Sequence, residues 1–355
     1  MQALYLLGGR EVAIRDVDTP TPSYGEVLIA VKAAGLCGSD LHMHYRPEPE
    51  QRRGVVFGLT TDPDVVPGHE PAGVVAEVGP GGVAHLRVGD RIAVHHMAGC
   101  GICMECRRGW DINCQNKWGT YGLDRPGAMQ DHMVVRARDC VSVPDGVSLS
   151  EAAYYTCGAG TGYLALKRAG FGLGDTVAVV GLGPVGLSGA YFATATGARV
   201  VGADTIDARC EFAEKNGVPI TANPSRDDVV GVVRDATAGR GADVVLETSG
   251  SAAGRSLALD VAATRGRVVC VGFADSSNTI DVQSQIIQKQ LDVRGAWMFP
   301  ITALQALLDD AGVRGISIEG LIPNSFTIED GARAWRSFDE GSLGKTVIAW
   351  PGSGR

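Results

Sequence analysis

The spacing of apolar positions divides the chain into two textures. Over roughly the first 150 residues the apolar runs are short and broken by Gly and Pro, which predicts short strands in a mostly antiparallel, β-rich domain. Val27–Val31, Ala72–Val78 and Asp90–Val94 are the clearest of these runs. From Gly174 onward the pattern changes. Val-rich runs at Thr176–Val180, Arg199–Ala203, Val244–Glu247 and Arg267–Val271 alternate with helical stretches at Gly186–Thr196, Ala208–Lys215 and Gly254–Ala262. Near-continuous apolar strands separated by helices predict a parallel, doubly wound α/β sheet. After Trp297 a helix-like run, Thr302–Ala311, leads to a final strand-like KTVIAW.

The length of 355 residues suits about two domains. No internal repeat or low-complexity linker separates them. A hydrophobic fraction of 45% argues against a disordered chain. The net charge of −8 argues against nucleic-acid binding. There is no apolar stretch long enough to span a membrane. The first residues, MQALYLLGGREVAI, lack the cationic start and apolar core of a secretory signal. Nine cysteines in a chain of this size fit metal binding in a reducing, cytoplasmic setting better than a disulfide scaffold.

Val177–Val180 runs directly into Gly181-Leu-Gly183-Pro184-Val185-Gly186, which opens a helix. Strand, glycine turn and helix in this order make a dinucleotide-binding fingerprint. Gly181 permits the turn, Gly183 lets the backbone approach a pyrophosphate, and Gly186 lets helix and strand pack. Free N–H groups at the helix start, with the positive dipole end, face the phosphates. The next strand ends in Asp204, placed to accept a hydrogen bond from the adenosine ribose and to repel the 2′-phosphate of NADP. NAD is therefore the expected coenzyme. Arg209, five residues on, is the one residue that would welcome that phosphate.

Cys100-x-x-Cys103-x-x-Cys106, followed by seven residues and Cys114, can close a tetrahedral shell around one Zn²⁺. A closed shell of four thiolates leaves no open position, so this zinc is expected to be structural.

Two further segments, Cys37-Gly-Ser39-Asp40-Leu-His42 and Gly68-His69-Glu70-Pro-Ala-Gly73, are weak signals alone. With the four-cysteine lobe and the dinucleotide motif, in this order over nearly the whole chain, they resemble the zinc-dependent medium-chain alcohol and polyol dehydrogenases. The resemblance implies a GroES-like catalytic domain at 1–156, a Rossmann domain at 157–296, and a return to the catalytic domain at 297–355. It implies that Cys37 and His69 are catalytic zinc ligands. The third ligand of the family precedes a T-G-Y-like turn, which here is Cys157. Relatives acting on polyols often carry Glu there, so this chain looks more like the alcohol dehydrogenases proper. Glu70 resembles the family's acid beside the metal. Asp40 is similar to the carboxylate that orients the ligating His. Ser39 and His42 resemble the two ends of the relay that carries the alcohol proton to solvent.

Two zinc ions per chain, one catalytic and one structural, and NAD are the cofactors so implied. The activity implied is oxidation of an alcohol, a secondary or polyhydroxylated one being favoured, to the aldehyde or ketone. A zinc with three protein ligands keeps a position open for the alcohol and makes it more acidic; hydride then passes to the nicotinamide. The alternatives are an NADPH-dependent aldehyde or ketone reductase of the same family, a silent relative, and a nucleic-acid-binding zinc module. Asp204 argues against the first. Retention of Cys37, Ser39 and His69 argues against the second. The lack of a basic stripe, with only Arg107 and Arg108 near the cysteines, argues against the third. A small-molecule substrate and a homodimer or homotetramer are the expected partners. Pairing is expected through the Arg267–Phe273 strand and the Gly-to-Ser stretch after it.

Three departures from the family pattern stand out. The turn at Gly79–Val83 has an extra glycine. His95 and His96 occupy places where the family often lines its pocket. The 31 residues between Cys37 and His69 exceed the usual length, the surplus falling at Tyr45–Pro63. Both ends of that segment adjoin site residues, so it is expected either beside the substrate entrance, with Tyr45 and Arg46 as donors, or as a solvated surface insertion.

Overall fold

The computed structural model describes every residue except Phe57, Lys117, Leu173, 275–278 and Arg355. Two units are present: Met1–Cys157 with Phe299–Arg355, and Gly158–Met298.

In the first unit a seven-stranded sheet is built around the long strand Glu26–Gly35. That strand pairs antiparallel with Pro71–Val78, His132–Arg136 and Thr346–Ala349. The last of these is the predicted C-terminal strand, so the chain's final segment completes the first unit's sheet. Leu4, Ile29, Met129, Met133 and Trp335 fill the core against the sheet. Along Glu26–Gly35 one face is wholly buried and the other is buried only in part, as befits a central strand with faces in different environments. The helix Leu149–Tyr155 is capped by a reciprocal pair. Ser148 Oγ accepts from the Glu151 N–H at 3.1 Å, and the Glu151 carboxylate accepts from the Ser148 N–H at 2.9 Å. This fully buried helix leads straight to Cys157. Cys157, expected at the start of the nucleotide domain, lies in the first unit.

The second unit is a six-stranded parallel sheet. Its spatial order is Ile220–Ala222, Arg199–Ala203, Thr176–Val180, Ala242–Glu247, Ala262–Cys270 and Asp292–Gly295. This is the 3-2-1-4-5-6 order of a doubly wound nucleotide-binding sheet, with its switch point at Thr176–Val180. That strand is buried at all five residues, which explains its unbroken apolar run. Two strands carried no readable signal. Ile220–Ala222 has three residues, and Asp292–Gly295 is a largely exposed edge. The edge corrects one expectation: Ala262–Cys270, which contains most of Arg267–Phe273, is paired on both sides. The edge on that side is Asp292–Gly295, and much of the Gly-to-Ser stretch lies outside the described residues.

Candidate metal and coenzyme sites

Cys37 follows the end of Glu26–Gly35, and His69–Glu70 precede Pro71–Val78. These strands pair antiparallel, with Ala34 opposite Pro71, and the Gly35 N–H donates to the Glu70 carbonyl at 3.0 Å. Sheet register therefore brings residues from two distant segments together. The helix Leu149–Tyr155 delivers the third ligand, and the Cys37 and Cys157 sulfurs stand 4.0 Å apart. That is far beyond a disulfide and close to the ~3.8 Å edge expected of a tetrahedron with Zn–S bonds of ~2.3 Å. One ligand atom from each of Cys37, His69, Glu70 and Cys157 lies within 4.8 Å of the others. The donor set fits a zinc ion.

The surroundings prepare this set. Asp40 is fully buried and its Oδ1 lies 2.9 Å from His69 Nδ1, which directs Nε2 towards the set. Burial pushes His69 down, but Asp40 and Cys37 outweigh it and hold the ring well above its ordinary pKa. The hydrogen bond with Cys157 is the main reason the Cys37 thiol falls well below its own. Burial pushes the Glu70 carboxyl up to about 7, against the pull of Lys345.

Lys345 is a site residue that the sequence did not reveal. Its ammonium is buried, donating to Glu70 Oε1 at 2.5 Å and to the Leu36 carbonyl at 2.7 Å, with the Tyr154 ring 5.3 Å away. Gly35 makes room for the pair, because a Cβ there would collide with the Glu70 carboxylate. The one available signal was a lysine opening an otherwise apolar terminal strand. His96 is also buried. Its ring is centred 4.9 Å from that of His69, and burial, followed by the charge at His69, pushes its pKa well down.

Ser39 is half-buried and His42 exposed. Partial desolvation of its ring, and then Arg46, hold His42 below its usual pKa. Tyr45 and Arg46 depart from expectation. Tyr45 is buried and stacked on Trp335 at 5.5 Å, and the Arg46 guanidinium is held by Asp339 at 2.5 Å. Within the remaining segment Gly54–Val56 pairs with Leu59–Thr61. The buried Arg52 closes it by donating to the Pro63 carbonyl at 3.0 Å. Arg53 pairs locally with Asp62 at 3.1 Å and Asp64 at 2.6 Å.

The lobe brings the four sulfurs of Cys100, Cys103, Cys106 and Cys114 within 4.8 Å of one another. Cys100 and Cys106 are 4.0 Å apart. Cys100 Sγ accepts from Cys103 N–H at 3.3 Å and Asn116 Nδ2 at 3.2 Å, while the Cys100 N–H donates to Cys114 Sγ at 3.2 Å. Donors aimed at sulfur stabilise thiolates, and this set also fits a zinc ion.

In the second unit, Gly181 adopts φ +96°, and a Cβ there would stand 2.7 Å from the Ser249 nitrogen. A Cβ on Gly186 would strike the Gly181 carbonyl, whereas one on Gly183 would meet nothing within 4 Å. That open cradle, before the helix Pro184–Ala195, suits a pyrophosphate. Asp204 Oδ2 accepts from the Leu182 N–H at 2.8 Å and Oδ1 from the Ile206 N–H at 3.0 Å. Arg209 Nη1 lies 3.5 Å from the same carboxylate.

Two family models match the chain: the alcohol dehydrogenase GroES-like domain over residues 23–145 and the zinc-binding dehydrogenase domain over 184–311. The zinc-type alcohol dehydrogenase-like protein YphC of Escherichia coli is 34% identical over 99% of both chains. An L-threonine 3-dehydrogenase of Pyrococcus horikoshii is 37% identical, over 79% of this chain and 78% of its own. Among solved structures, alcohol dehydrogenase TADH from Thermus superimposes with a TM-score of 0.86 at 29% identity, covering 98% of this chain and 99% of its own. No helix among the described residues is long and apolar enough to cross a membrane.

Proposed function

The chain belongs to the zinc-type medium-chain alcohol dehydrogenases, and from that premise we propose that it transfers hydride between an alcohol and NAD. The favoured substrate is a secondary or polyhydroxylated alcohol, giving the ketone or aldehyde. The observation that carries this reading is the buried Cys37, His69 and Cys157 set, with His69 oriented by Asp40. The similar threonine dehydrogenases support it, since the hydroxyl at position 3 of threonine is secondary.

When bound to those three residues, zinc supplies a Lewis acid that acidifies a hydroxyl or polarises a carbonyl. Asp40 holds His69 in the tautomer that leaves Nε2 free for the metal. Ser39 accepts the alcohol proton at Oγ as its own hydroxyl proton passes on. His42 receives it at a ring nitrogen and releases it to solvent. Its lowered pKa keeps the ring neutral, and so able to accept, near neutral pH. Lys345 holds Glu70 beside the cysteines, so that the acid is charge-paired. In the second unit Gly183 and the helix start at Pro184, Val185 and Gly186 receive the pyrophosphate. Asp204 accepts from the adenosine ribose. Cys100, Cys103, Cys106 and Cys114 hold the second, structural zinc, giving two per chain.

The test is NADH formation across primary, secondary, polyhydroxylated and amino alcohols, with NAD and NADP compared on the best of them. Turnover of secondary alcohols with NAD preferred is the expected result. Equal or better efficiency with NADP overturns the coenzyme assignment and transfers the role to Arg209. Inactivity of metal-replete protein towards every alcohol overturns the whole reading.

We also assign a homodimer or homotetramer. The exposed edge strand Asp292–Gly295 carries Val293, and the exposed Val282 and Ile287 belong to the helical turn just before it. Unpaired strand edges with apolar side chains favour pairing. Light scattering should give a multiple of the chain mass, and a monomer at micromolar concentration would remove this assignment.

A further inference from the structure

Between the four-cysteine lobe and His69 stand two adjacent histidines, His95 and His96, that the proposed reaction does not use. Both are buried. His95 Nε2 lies 2.7 Å from the Phe299 carbonyl, and its Nδ1 lies 3.2 Å from Asp111 Oδ2. Its two ring nitrogens thus face two oxygen partners. The ring stacks on His96 at 6.1 Å and 22°, and His96 in turn lies 4.9 Å from the His69 ring.

Asp111 is part of the lobe, in the short turn between Cys106 and Cys114. The Cys114 N–H donates to the Asp111 carbonyl at 3.0 Å. Gly99 packs so closely that a Cβ there would stand 2.8 Å from both Asp111 Cβ and Cys106 Sγ. The other carboxylate oxygen of Asp111 accepts from the Ile301 N–H at 3.2 Å. His95 and Asp111 therefore clamp the segment Phe299–Ile301 from two sides. Lobe, Asp111, His95, His96 and His69 form one chain of contacts within a single unit.

We propose that His95 is a positioning residue that ties the four-cysteine lobe to the wall of the catalytic metal pocket. It acts through Asp111 on one side and His96 on the other. The proposal rests on the reading of Cys37, His69 and Cys157 as the catalytic metal set. In it the lobe is more than a staple for its own loop. A buried ring between two fixed acceptors has one orientation, and a ring stacked on it is restricted in turn. His96 is also held by a hydrogen bond with the Thr156 backbone, and the stacked His95 ring, fixed by a carboxylate that the lobe's fold places, sets the second restraint on it and on the space beside His69.

The test uses holo protein with zinc in the lobe and Co²⁺ exchanged into the Cys37 set. The visible d–d bands of Co²⁺ report ligand geometry without turnover. His95→Phe keeps ring volume and loses both polar contacts. Asp111→Asn keeps shape and an acceptor for Ile301 but withdraws the negative charge from His95. Both variants should hold full metal at both sites and shift the cobalt bands. Both should raise KM for the best alcohol about tenfold with kcat little changed, and the double variant should be no worse than His95→Phe alone. Unshifted bands in either fully loaded variant, or additive losses in the double, overturn the proposal. If His95→Phe does not fold, Asp111→Asn decides on its own bands. If the parent oxidises no alcohol, the functional reading fails while the cobalt bands still judge the coupling.

Discussion

The two cysteine clusters, each proposed to hold a zinc ion, are assembled by opposite routes. The lobe takes all four thiolates from a single short stretch, Cys100–Cys114, whose backbone N–H groups point at the sulfurs. The Cys37, His69 and Cys157 set draws on two strand ends and one helix, and Cys37 and Cys157 are 120 residues apart in sequence. The lobe is half-exposed, whereas His69, Glu70, Asp40 and Lys345 are buried. A local site can assemble with little help from the rest of the chain, and its metal energy goes into folding that loop. A dispersed site is assembled by the sheet, so its residues can be held in place without a closed ligand shell. That is the condition for an open coordination position.

This contrast can be broken experimentally, and the sharpest cut is at the dispersed site. Cys37→Ser should lower turnover by about a thousandfold, as loss of metal-ion catalysis does. One of two metal equivalents should disappear while thermal stability barely moves. Kinetics, metal analysis and a melting curve on one preparation check this. A large fall in Tm instead would mean that both metals are structural.

Cys103→Ser is the reciprocal cut. It should remove the other equivalent and lower Tm by on the order of 10 °C, as loss of a structural metal does. Catalysis in the folded remainder should suffer far less than in Cys37→Ser. Equal damage to turnover in the two variants would erase the distinction drawn between the sites.

Lys345→Met probes what dispersed assembly demands. It leaves the Glu70 carboxylate buried beside two thiols without its cation, which should cost about 3–5 kcal/mol in denaturant unfolding. Adding Glu70→Gln should recover part of that loss, because the orphaned charge is then gone. No recovery would show that Lys345 acts through the Leu36 carbonyl rather than through Glu70.

The smallest effect is expected in the other unit. Asp204→Ala should narrow the preference for NAD over NADP by about tenfold, read from kcat/KM for each coenzyme. It also removes the acceptor for the Leu182 and Ile206 N–H groups, so affinity for both coenzymes should fall modestly. An unchanged ratio would locate the discrimination elsewhere.

How far the sequence could be read follows the same division. Arg199–Ala203 was legible residue for residue, because after the exposed Arg199 the strand is buried on both faces and its apolar run is unbroken. Thr302–Ala311 was legible within the longer helix Ile301–Arg314. Asp292–Gly295 was not, since an exposed edge strand has no apolar period to display. The lobe cysteines and the glycine turn were legible as spacing alone. The dispersed set was legible only through family resemblance, because nothing in the spacing of Cys37, His69 and Cys157 predicts their meeting. Tyr45 and Arg46 were misjudged because adjacency to His42 in sequence does not fix direction. Trp335 and Asp339 claimed both side chains.

What the sequence determined by itself was therefore whatever depends on neighbours along the chain: element periods, the glycine turn with Asp204 at the next strand's end, and a tight run of thiolates. Tertiary structure decided whatever depends on neighbours across it. The antiparallel register of Glu26–Gly35 with Pro71–Val78 brought His69 to Cys37. The C-terminal strand carried Lys345 under Glu70, and packing of the lobe placed Asp111 against His95. Burial, and the charge pairing that burial demands, are properties of surroundings assembled from the whole unit, and no local pattern encodes them.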